Sequence, residues 1–289
     1  MRDIAPDQPR TVGYVCEGEQ RSARGRLVVG ADGRTSIARK ALNAREWEHR
    51  SSRLLAGVRV GGLDCADDVG FFLIRDDATE MASLFPQGDG YAGAYVFVEG
   101  IDPQRYAGEE GFRRFIDAQI ESGVPPPEIF AEATQEGPLA AFEASDSWVD
   151  RAARDGLELI GDAAGVSDPT WGFGLALAFR DVLSLRDALV ATPDWGAVLE
   201  TYSTAHADYF AKILEGENWQ SELFLTPGPE ADARRMHAVR AWSDDPSRSI
   251  DLAGEGPSTD LSAAARVRFF AEDLAGDSLT SRTGNGVSG

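Results

Sequence analysis

Two carboxylates in this chain directly follow short apolar runs that predict β-strands. Asp162 comes after Leu157–Ile160, and Asp32 comes after the apolar centre of GRLVVGADG, residues 25–33. The carboxyl edge of a sheet is where α/β folds bind ligands, and a carboxylate there can accept hydrogen bonds from the hydroxyls of a ribose or polyol. Two such strand ends in one chain favour a ligand site over two unrelated turns.

The loop after Asp162 has the composition of a segment that lies close to a flat ligand. In GDAAGVSDPTWGFG, residues 161–174, Pro169 stiffens the backbone, while Gly172 and Gly174 allow close backbone approach. A helix predicted from Gly172 to Val190 begins there, and its unpaired N–H groups and positive dipole end would stabilise negative charge. The alternative is structural: each loop is a strand–helix connection whose aspartate only caps a turn.

The remaining pattern predicts strands mainly in the first third of the chain and helices mainly in the last. Strands are predicted at Thr11–Gly18 and in four apolar segments between Leu54 and Gly100, punctuated by Gly, Asp and Pro as in antiparallel hairpins. The predicted helices are 34–42, 103–122, 172–190, 195–220, 234–242 and 262–270. The predicted packing stripe of the third helix is Leu175, Ala178, Phe179, Val182, Leu185 and Leu189.

The composition is that of a globular, acidic protein. With 28 Lys and Arg against 48 Asp and Glu, the formal net charge is −20, which disfavours binding to nucleic acid or to an anionic membrane surface. No apolar run is long enough to span a bilayer. Two cysteines are too few for a disulfide framework, so a cytoplasmic location is expected. The dispersed His49, His206 and His237 are expected on surfaces or helix faces and predict no metal centre.

The two strand–loop–helix segments together resemble a known family. VVGADGRTSIARKAL (28–42) and GDAAGVSDPTWGFGLALAFRD (161–181) resemble the second and third flavin fingerprints of FAD-dependent class A monooxygenases of the aromatic-hydroxylase type. The resemblance extends from about Thr11 to Leu214. It implies an α/β fold: a partial FAD-binding Rossmann-like domain with ββα three-layer architecture, an inserted antiparallel β-sheet substrate domain, and C-terminal helices.

The resemblance also implies domain limits. Residues 1–50 and 137–220 would form the partial FAD-binding domain, and residues 51–136 the substrate sheet. Residues 221–275 would be a helical extension. Residues 276–289, rich in Gly, Ser and Thr, are expected to be a disordered tail.

By the same resemblance, the cofactor is FAD, the co-substrate is NAD(P)H, and O2 supplies an oxygen atom to a small organic substrate. Asp162 would contact the ribityl or ribose part of FAD, and the Asp32–Gly33 turn would lie near its pyrophosphate. The residues predicted to bind the cofactor are Asp32, Gly33, Gly161, Asp162, Pro169, Gly172, Phe173, Gly174 and Leu175.

An aromatic or lipophilic substrate is expected, and four aromatic side chains are predicted to contact it. Trp171 lies inside the flavin loop. Phe72, Phe85 and Tyr95 lie on the substrate sheet, where core packing is the favoured role and an apolar substrate pocket would use the same residues. No side chain stands out as an acid–base catalyst.

The chain departs from the family pattern in two ways. Many members carry His where Gly165 stands and Gln where Phe173 stands. The first fingerprint, G-x-G-x-x-G after an opening strand, is absent from the sequence, and only 31 residues precede Asp32. The family uses that unit to cradle the FAD pyrophosphate. A miscalled start, a decayed gene, and a partner chain that supplies the unit are three competing explanations.

The predicted function is therefore FAD-dependent monooxygenation, with two alternatives left open. One is a catalytically inert fragment or interaction module that needs a partner chain. The other is a flavin-dependent reductase of the geranylgeranyl-reductase type. A halogenase is disfavoured, because the chain has no Trp-x-Trp-x-x-Ile stretch and its two lysines, Lys40 and Lys212, lie outside the substrate segments.

Overall fold

The computed structural model describes residues 3–4, 10–74, 80–100, 102–108, 110–123 and 125–274. The strands are β1 (Asp3–Ile4), β2 (Arg10–Cys16), β3 (Glu19–Gly25), β4 (Val28–Gly30), β5 (Glu46–His49), β6 (Arg53–Gly61), β7 (Phe71–Ile74), β8 (Glu80–Gly88), β9 (Tyr91–Glu99), β10 (Thr134–Gln135), β11 (Ala140–Glu143), β12 (Asp146–Val149), β13 (Ala153–Arg154), β14 (Leu157–Leu159) and β15 (Gly165–Val166). The α-helices are α1 (Ile37–Leu42), α2 (Gly111–Glu121), α3 (Gly174–Ala191), α4 (Trp195–Phe224), α5 (Pro229–Asp244) and α6 (Ala263–Phe269). The mixed α/β class predicted from the sequence is confirmed.

The expected disordered tail, residues 276–289, lies outside the described residues. Within the part of the chain that is described, none of the helices combines the length and the apolar character that a membrane span requires.

A small parallel sheet brings the two predicted strand ends together. β4 and β14 pair in parallel, with residues 28–30 opposite residues 157–159, and β13 lies on the far side of β14. Because β4 and β14 run in the same direction, the turns that follow them leave the sheet at the same edge. Gly30 is required at the end of β4, since a Cβ there would lie 2.3 Å from the Ala38 Cβ of α1.

A separate antiparallel sheet consists of β1, β2 and β3. The sequence analysis did not predict β3, because most of its side chains are polar and exposed and show no apolar alternation. The strand forms through pairing with β2 along its whole length, from Gly25 opposite Arg10 to Glu19 opposite Cys16. Arg10 also links this sheet to the parallel one, because its Nε donates to the carbonyl oxygen of Asp155 at 2.9 Å.

The large antiparallel sheet has the order β10-β6-β9-β8-β7, and β11 also pairs with β6. α2 packs against it: Phe115 is fully buried among aliphatic side chains of the sheet, and the Gln119 amide donates to the carbonyl oxygen of Tyr95 at 2.8 Å. The single helix predicted at 103–122 is in fact two, a 3-10 helix at Pro103–Tyr106 and then α2. Gly108, with a left-handed φ of +75°, separates them.

The third antiparallel sheet, β15-β12-β5, connects to the helices through stacked aromatic rings. The Trp148 ring lies 6.4 Å from the Trp47 ring and 5.6 Å from the Phe210 ring of α4. At the end of the chain, α5 and α6 close a further core against α4, in which Trp219 and Phe269 are buried.

The prediction for the packing face of α3 is only partly correct. Leu185 is buried against the parallel sheet and α4, as expected. Leu175, Phe179 and Val182, however, are 68%, 61% and 48% exposed. The physical reason is that α4 covers the opposite side of α3, while no described element covers this one.

Candidate functional site

Asp32 caps the helix that follows it. Its Oδ1 accepts a hydrogen bond from the Ser36 hydroxyl at 2.5 Å, and its Oδ2 accepts from the N–H groups of Ile37 and Ala38 at 2.7 and 3.2 Å. Burial alone would raise the pKa of Asp32, but these hydrogen bonds outweigh burial and hold the pKa below its ordinary value. Together with the N-cap residue Ser36, Asp32 thus satisfies the first N–H groups of the helix, and the contact of the Asp32–Gly33 turn with a cofactor stays a prediction. Beside it, Gly33 has a left-handed φ of +76° and open space where a side chain would lie.

Asp162 presents a carboxylate that is not used as a cap. It lies in the 3-10 helix Gly161–Ala163, directly after β14, with its side chain about half exposed. Among the described residues, the cation nearest to it is Arg34, whose Nε lies 3.9 Å from Oδ2. Arg39 donates to the backbone oxygen of Asp162 at 3.4 Å. Both arginines belong to the turn and helix after β4, so the two predicted strand-end sites are in contact.

Two buried side chains, Asp181 and His206, fix the position of the turn that carries Asp162. Asp181 of α3 accepts the Gly161 N–H through Oδ2 at 2.8 Å, and its Oδ1 lies 3.0 Å from Nδ1 of His206 in α4. Both side chains are almost fully buried, so of the two expected positions, surface or helix face, His206 occupies a buried helix face of α4. Gly161 has a φ of +56°, and a Cβ on it would lie 3.3 Å from Ala178 of α3. The turn, α3 and α4 therefore form one tightly packed unit.

The loop from Asp168 to Gly174 ends in a helix N-terminus without a side-chain cap. Asp168 caps the short 3-10 helix Pro169–Trp171, because it accepts the Thr170 N–H at 2.9 Å. Gly172 then adopts a left-handed φ of +72°, and α3 begins at Gly174 with no side-chain hydrogen bond to its first turn. A Cβ on Gly172 or Gly174 would meet nothing within 4 Å. The first N–H groups of this 18-residue helix lie beside open space, where negative charge is stabilised.

The packing behind the loop explains two features of its sequence. Phe173 is buried in a cluster with Tyr209 and Phe210, so its side chain faces the protein interior, whereas Leu175 is exposed. A Cβ on Gly165 would lie 2.5 Å from the Phe210 ring. The histidine common at this position in the family has no room here, because Phe210 occupies that space.

An apolar cavity of about 930 Å³ lies between the loop and the large antiparallel sheet. It is lined by all four aromatic residues predicted to contact a substrate, Phe72, Phe85, Tyr95 and Trp171. Pro169 and Gly172 line it too, so the structure brings the predicted cofactor loop and the predicted substrate residues to one place. The three sheet residues Phe72, Phe85 and Tyr95 are 49%, 47% and 37% exposed, so none of them is fully packed into the core.

A polar chamber of about 200 Å³ adjoins the same loop at Trp171. Asp168 accepts from Arg53 Nη2 at 2.6 Å, and its backbone N–H donates to Asp146 Oδ1 at 2.7 Å. The other oxygen of Asp146 lies 3.3 Å from Nδ1 of His49. Burial raises the pKa of Asp168, and the Arg53 guanidinium counteracts this only in part.

Glu217 of α4 is a buried carboxyl on the wall of this chamber. Neither of its oxygens has a hydrogen-bond partner in the described part of the chain. Burial, followed by the negative charge of Asp146, raises the pKa of Glu217 to about 11. The group is therefore protonated at neutral pH, so it adds no further negative charge beside Asp146 and Asp168.

The sequence analysis missed the residues of these two polar networks. Arg53 and Asp168 are 115 residues apart, and no local pattern joins them. One signal was available on α4, where His206 and Glu217 share a helical face with the buried Tyr202 and Ile213. Polar residues at the spacing of an apolar stripe are candidates for buried networks. In the described residues, no group of three or more His, Cys, Asp or Glu side chains could hold a metal ion.

Residues 8–216 match the protein family described as "FAD binding domain". Among curated proteins, rifampicin monooxygenase from Streptomyces venezuelae is 29% identical over 231 residues, covering 77% of this chain and 46% of that protein. Kynurenine 3-monooxygenase from Salinispora tropica is also 29% identical over 231 residues, covering 73% of this chain and 48% of that protein. The chain thus spans about half the length of the curated relatives it matches.

Solved structures share the fold at lower identity. An anhydrotetracycline hydroxylase from Streptomyces rimosus superimposes with a TM-score of 0.65 at 20% identity, covering 94% of this chain and 51% of that one. A p-nitrophenol 4-monooxygenase from Pseudomonas putida gives a TM-score of 0.67 at 19% identity, covering 84% of this chain and 62% of that one. These likenesses are evidence for the fold of the chain.

Proposed function

Because the chain belongs to the FAD-binding domain family, we propose that it forms the part of an FAD-dependent monooxygenase that holds the flavin ring and the substrate. The reaction is hydroxylation of an aromatic or lipophilic organic molecule with NAD(P)H and O2. The observation that carries the proposal is the meeting of the glycine loop, the uncapped start of α3 and the apolar cavity at one place.

The described residues fit FAD. Gly172 and Gly174 leave the space that a flat ring needs, since side chains there would project into open space. The Asp162 carboxylate is free of a cap and can accept hydrogen bonds from the hydroxyls of a ribityl or ribose group. When bound, FAD supplies electron transfer from NAD(P)H to O2 and oxygen transfer to the substrate.

The protein's own groups have three tasks in this proposal. The uncapped N-terminus of α3 would stabilise negative charge on a flavin bound beside it, without any charged side chain. Asp181 holds the Gly161 N–H, and thereby orients Asp162 towards the ligand. The apolar cavity shields from water the side of the substrate that its aromatic walls contact.

The assignment of segments remains part of the proposal. Residues 1–50 and 137–220 would serve cofactor binding, residues 51–136 would serve substrate binding, and residues 221–275 would be a C-terminal helical extension. A cytoplasmic location is included as well, and it is supported by the two cysteines, Cys16 and Cys65, which are both free thiols.

A partner surface is also proposed at the open side of the parallel sheet. Val28 donates to Gly156 and Gly30 accepts from Ile160, so the intervening Val29 directs its N–H and C=O away from β14. No strand among the described residues pairs on that side of β4. With the exposed stripe of α3, this edge fits a βαβ unit, which would add a parallel strand and cover the stripe with its helix.

Binding of FAD to the purified chain tests the cofactor proposal. We expect a dissociation constant in the micromolar range or tighter, followed by flavin fluorescence. Asp162→Asn should weaken binding about tenfold, because it removes the acceptor charge at the ligand hydroxyls. Asp187→Asn is the matched control, because Asp187 lies on α3 but is exposed and paired with its neighbour Arg186. Equal binding by wild type and Asp162→Asn would contradict the assigned role of Asp162.

The same titration bears on the two alternatives. A folded chain that binds no FAD, alone or with an added βαβ polypeptide, would favour the inert module. A reductase is not favoured, because the curated relatives reported above are named monooxygenases. Steady FAD-dependent NAD(P)H oxidation without O2 consumption, coupled to reduction of an added alkene substrate, would nevertheless point back to a reductase.

A further inference from the structure

The apolar cavity is large, and the described residues offer it almost no charge. Its volume of about 930 Å³ lies near the upper end of small-molecule sites, which is more than a single aromatic ring fills. Most of its described lining is aromatic or aliphatic, with uncharged polar contributions from Ser83, Tyr95 and Thr170. Among the described lining residues, Arg235 of α5 is the one that carries a charge.

The charge of Arg235 is already used within the protein. Its Nη1 donates to Asp232 Oδ1 at 2.6 Å. Its Nε donates to the carbonyl oxygen of Leu223 at 3.2 Å, and its Nη2 to that of Thr226 at 3.0 Å. The side chain is only 12% exposed. Arg235 thus joins the end of α4 to α5, and the Asp232 carboxylate neutralises it beside the cavity.

Because Asp232 neutralises Arg235, the charge of a ligand affects how tightly it binds in the cavity. A ligand carboxylate bound against these apolar walls loses part of its hydration and finds no uncompensated cation among the described residues, which is unfavourable. An uncharged ring system pays no such cost and gains from contact with Phe72, Phe85 and Trp171.

We infer that this site takes uncharged, multi-ring aromatic or lipophilic molecules, and that the Arg235–Asp232 pair excludes aromatic carboxylates. The inference rests on the proposed function, because it assumes that the apolar cavity is the substrate site. It narrows that proposal from aromatic or lipophilic molecules in general to one class, and it assigns Asp232 as the residue that sets the charge preference.

Two probes of matched size test the inference without any cofactor. Anthracene-9-methanol and anthracene-9-carboxylate are titrated into the purified chain, and binding is followed by tryptophan and probe fluorescence. We expect the alcohol to bind at least tenfold more tightly than the carboxylate. Phe85→Ala should weaken binding of the alcohol severalfold, because this side chain lines the cavity and is not part of the core.

Asp232→Asn is the decisive variant. Asparagine keeps an oxygen acceptor for Arg235 Nη1 but leaves the guanidinium charge uncompensated. Affinity for the carboxylate should therefore rise about tenfold, while affinity for the alcohol changes less than twofold. Asp244→Asn is the matched control, since Asp244 lies on the same helix and is exposed. It should change neither affinity.

Three outcomes would overturn the inference: equal binding of both probes to the wild type, no gain for the carboxylate in Asp232→Asn, or no binding of the alcohol to the folded chain. Failure of the cofactor proposal gives a different result. In that case the alcohol binds with the expected selectivity, while FAD does not bind in the separate titration.

Discussion

At the residue scale, the geometry of the candidate site depends on buried side chains that lie behind it. Asp181 uses one oxygen for the Gly161 N–H and the other for His206, and both side chains are buried. The bond to Gly161 holds the turn after β14, and the bond to His206 holds α4. Together the two bonds fix the position of Asp162 relative to the start of α3. Removal of such a buried acceptor lowers the stability of the fold, because the N–H groups that donated to it are left buried and unsatisfied.

We predict that Asp181→Ala lowers the free energy of unfolding by about 2–4 kcal/mol, because it strands two buried donors. It should also weaken FAD binding at least tenfold. Asp181→Asn should be milder in both respects, since it keeps an acceptor for Gly161. Denaturant unfolding and flavin titration measure the two effects, with the exposed Asp187→Ala on the same helix as control. Unchanged FAD affinity in Asp181→Ala would remove Asp181 from the positioning role.

At the element scale, β4 pairs with a strand on one side only, and α3 is covered on one side only. β4 pairs with β14, while Val29 is 41% exposed and directs its backbone groups to the open side. On α3, Leu175, Phe179 and Val182 repeat at intervals of four and three residues, which places them on one face. Parallel strands and apolar helix faces are normally covered, so both features support the proposed partner surface.

We predict that Val29→Pro leaves the chain folded but weakens its association with a separately supplied βαβ polypeptide at least tenfold. Proline removes the N–H that an added strand needs, and it does not touch the β4–β14 bonds. Val28→Pro is the contrasting variant: it removes the hydrogen bond to Gly156 and should destabilise the chain by about 3 kcal/mol. Thermal unfolding and titration calorimetry separate the two. Undiminished association of Val29→Pro would rule out strand addition at this edge.

At the scale of the whole molecule, stability is expected to fall as the pH rises above about 5. Burial raises the pKa of Glu158 to about 7, and burial with the neighbouring Asp146 raises that of Glu217 to about 11. Each group binds a proton more tightly when folded, so its contribution is complete below the ordinary carboxyl pKa of 4.5 and is lost as the pH rises towards the folded value. The net charge of −20 acts in the same direction through repulsion.

We predict that Glu217→Gln stabilises the chain at pH 8 by on the order of 2–4 kcal/mol and has little effect near pH 4.5. Glutamine resembles the protonated acid but has no proton to lose on unfolding, so the difference grows by up to about 1.4 kcal/mol per pH unit. Urea unfolding between pH 4.5 and 8 measures this. Glu200→Gln, an exposed position on α4, should show no such trend. A difference independent of pH would mean that Glu217 is ionised in the folded state.

The sequence by itself determined the features that depend on neighbours in the chain. Strand ends, turn glycines and the two aspartate loops are local patterns, and they were sufficient for the α/β class and the family. The same is true of Phe72, Phe85 and Tyr95, because the apolar segments that contain them, separated by Gly, Asp and Pro, predicted one antiparallel sheet. Strand β3 was not predicted, because its sequence shows no apolar alternation and its extended conformation depends on pairing with β2.

Only the tertiary structure decided which of these residues are available to a ligand. It turned Asp32 into a helix cap, directed Phe173 into the interior, and left the stripe of α3 uncovered. It also joined Arg53 to Asp168 and Asp181 to His206. The physical reason is that hydrogen bonding and burial depend on which elements pack together. Two side chains separated by 25 or 115 residues carry no joint signal until the fold makes them neighbours.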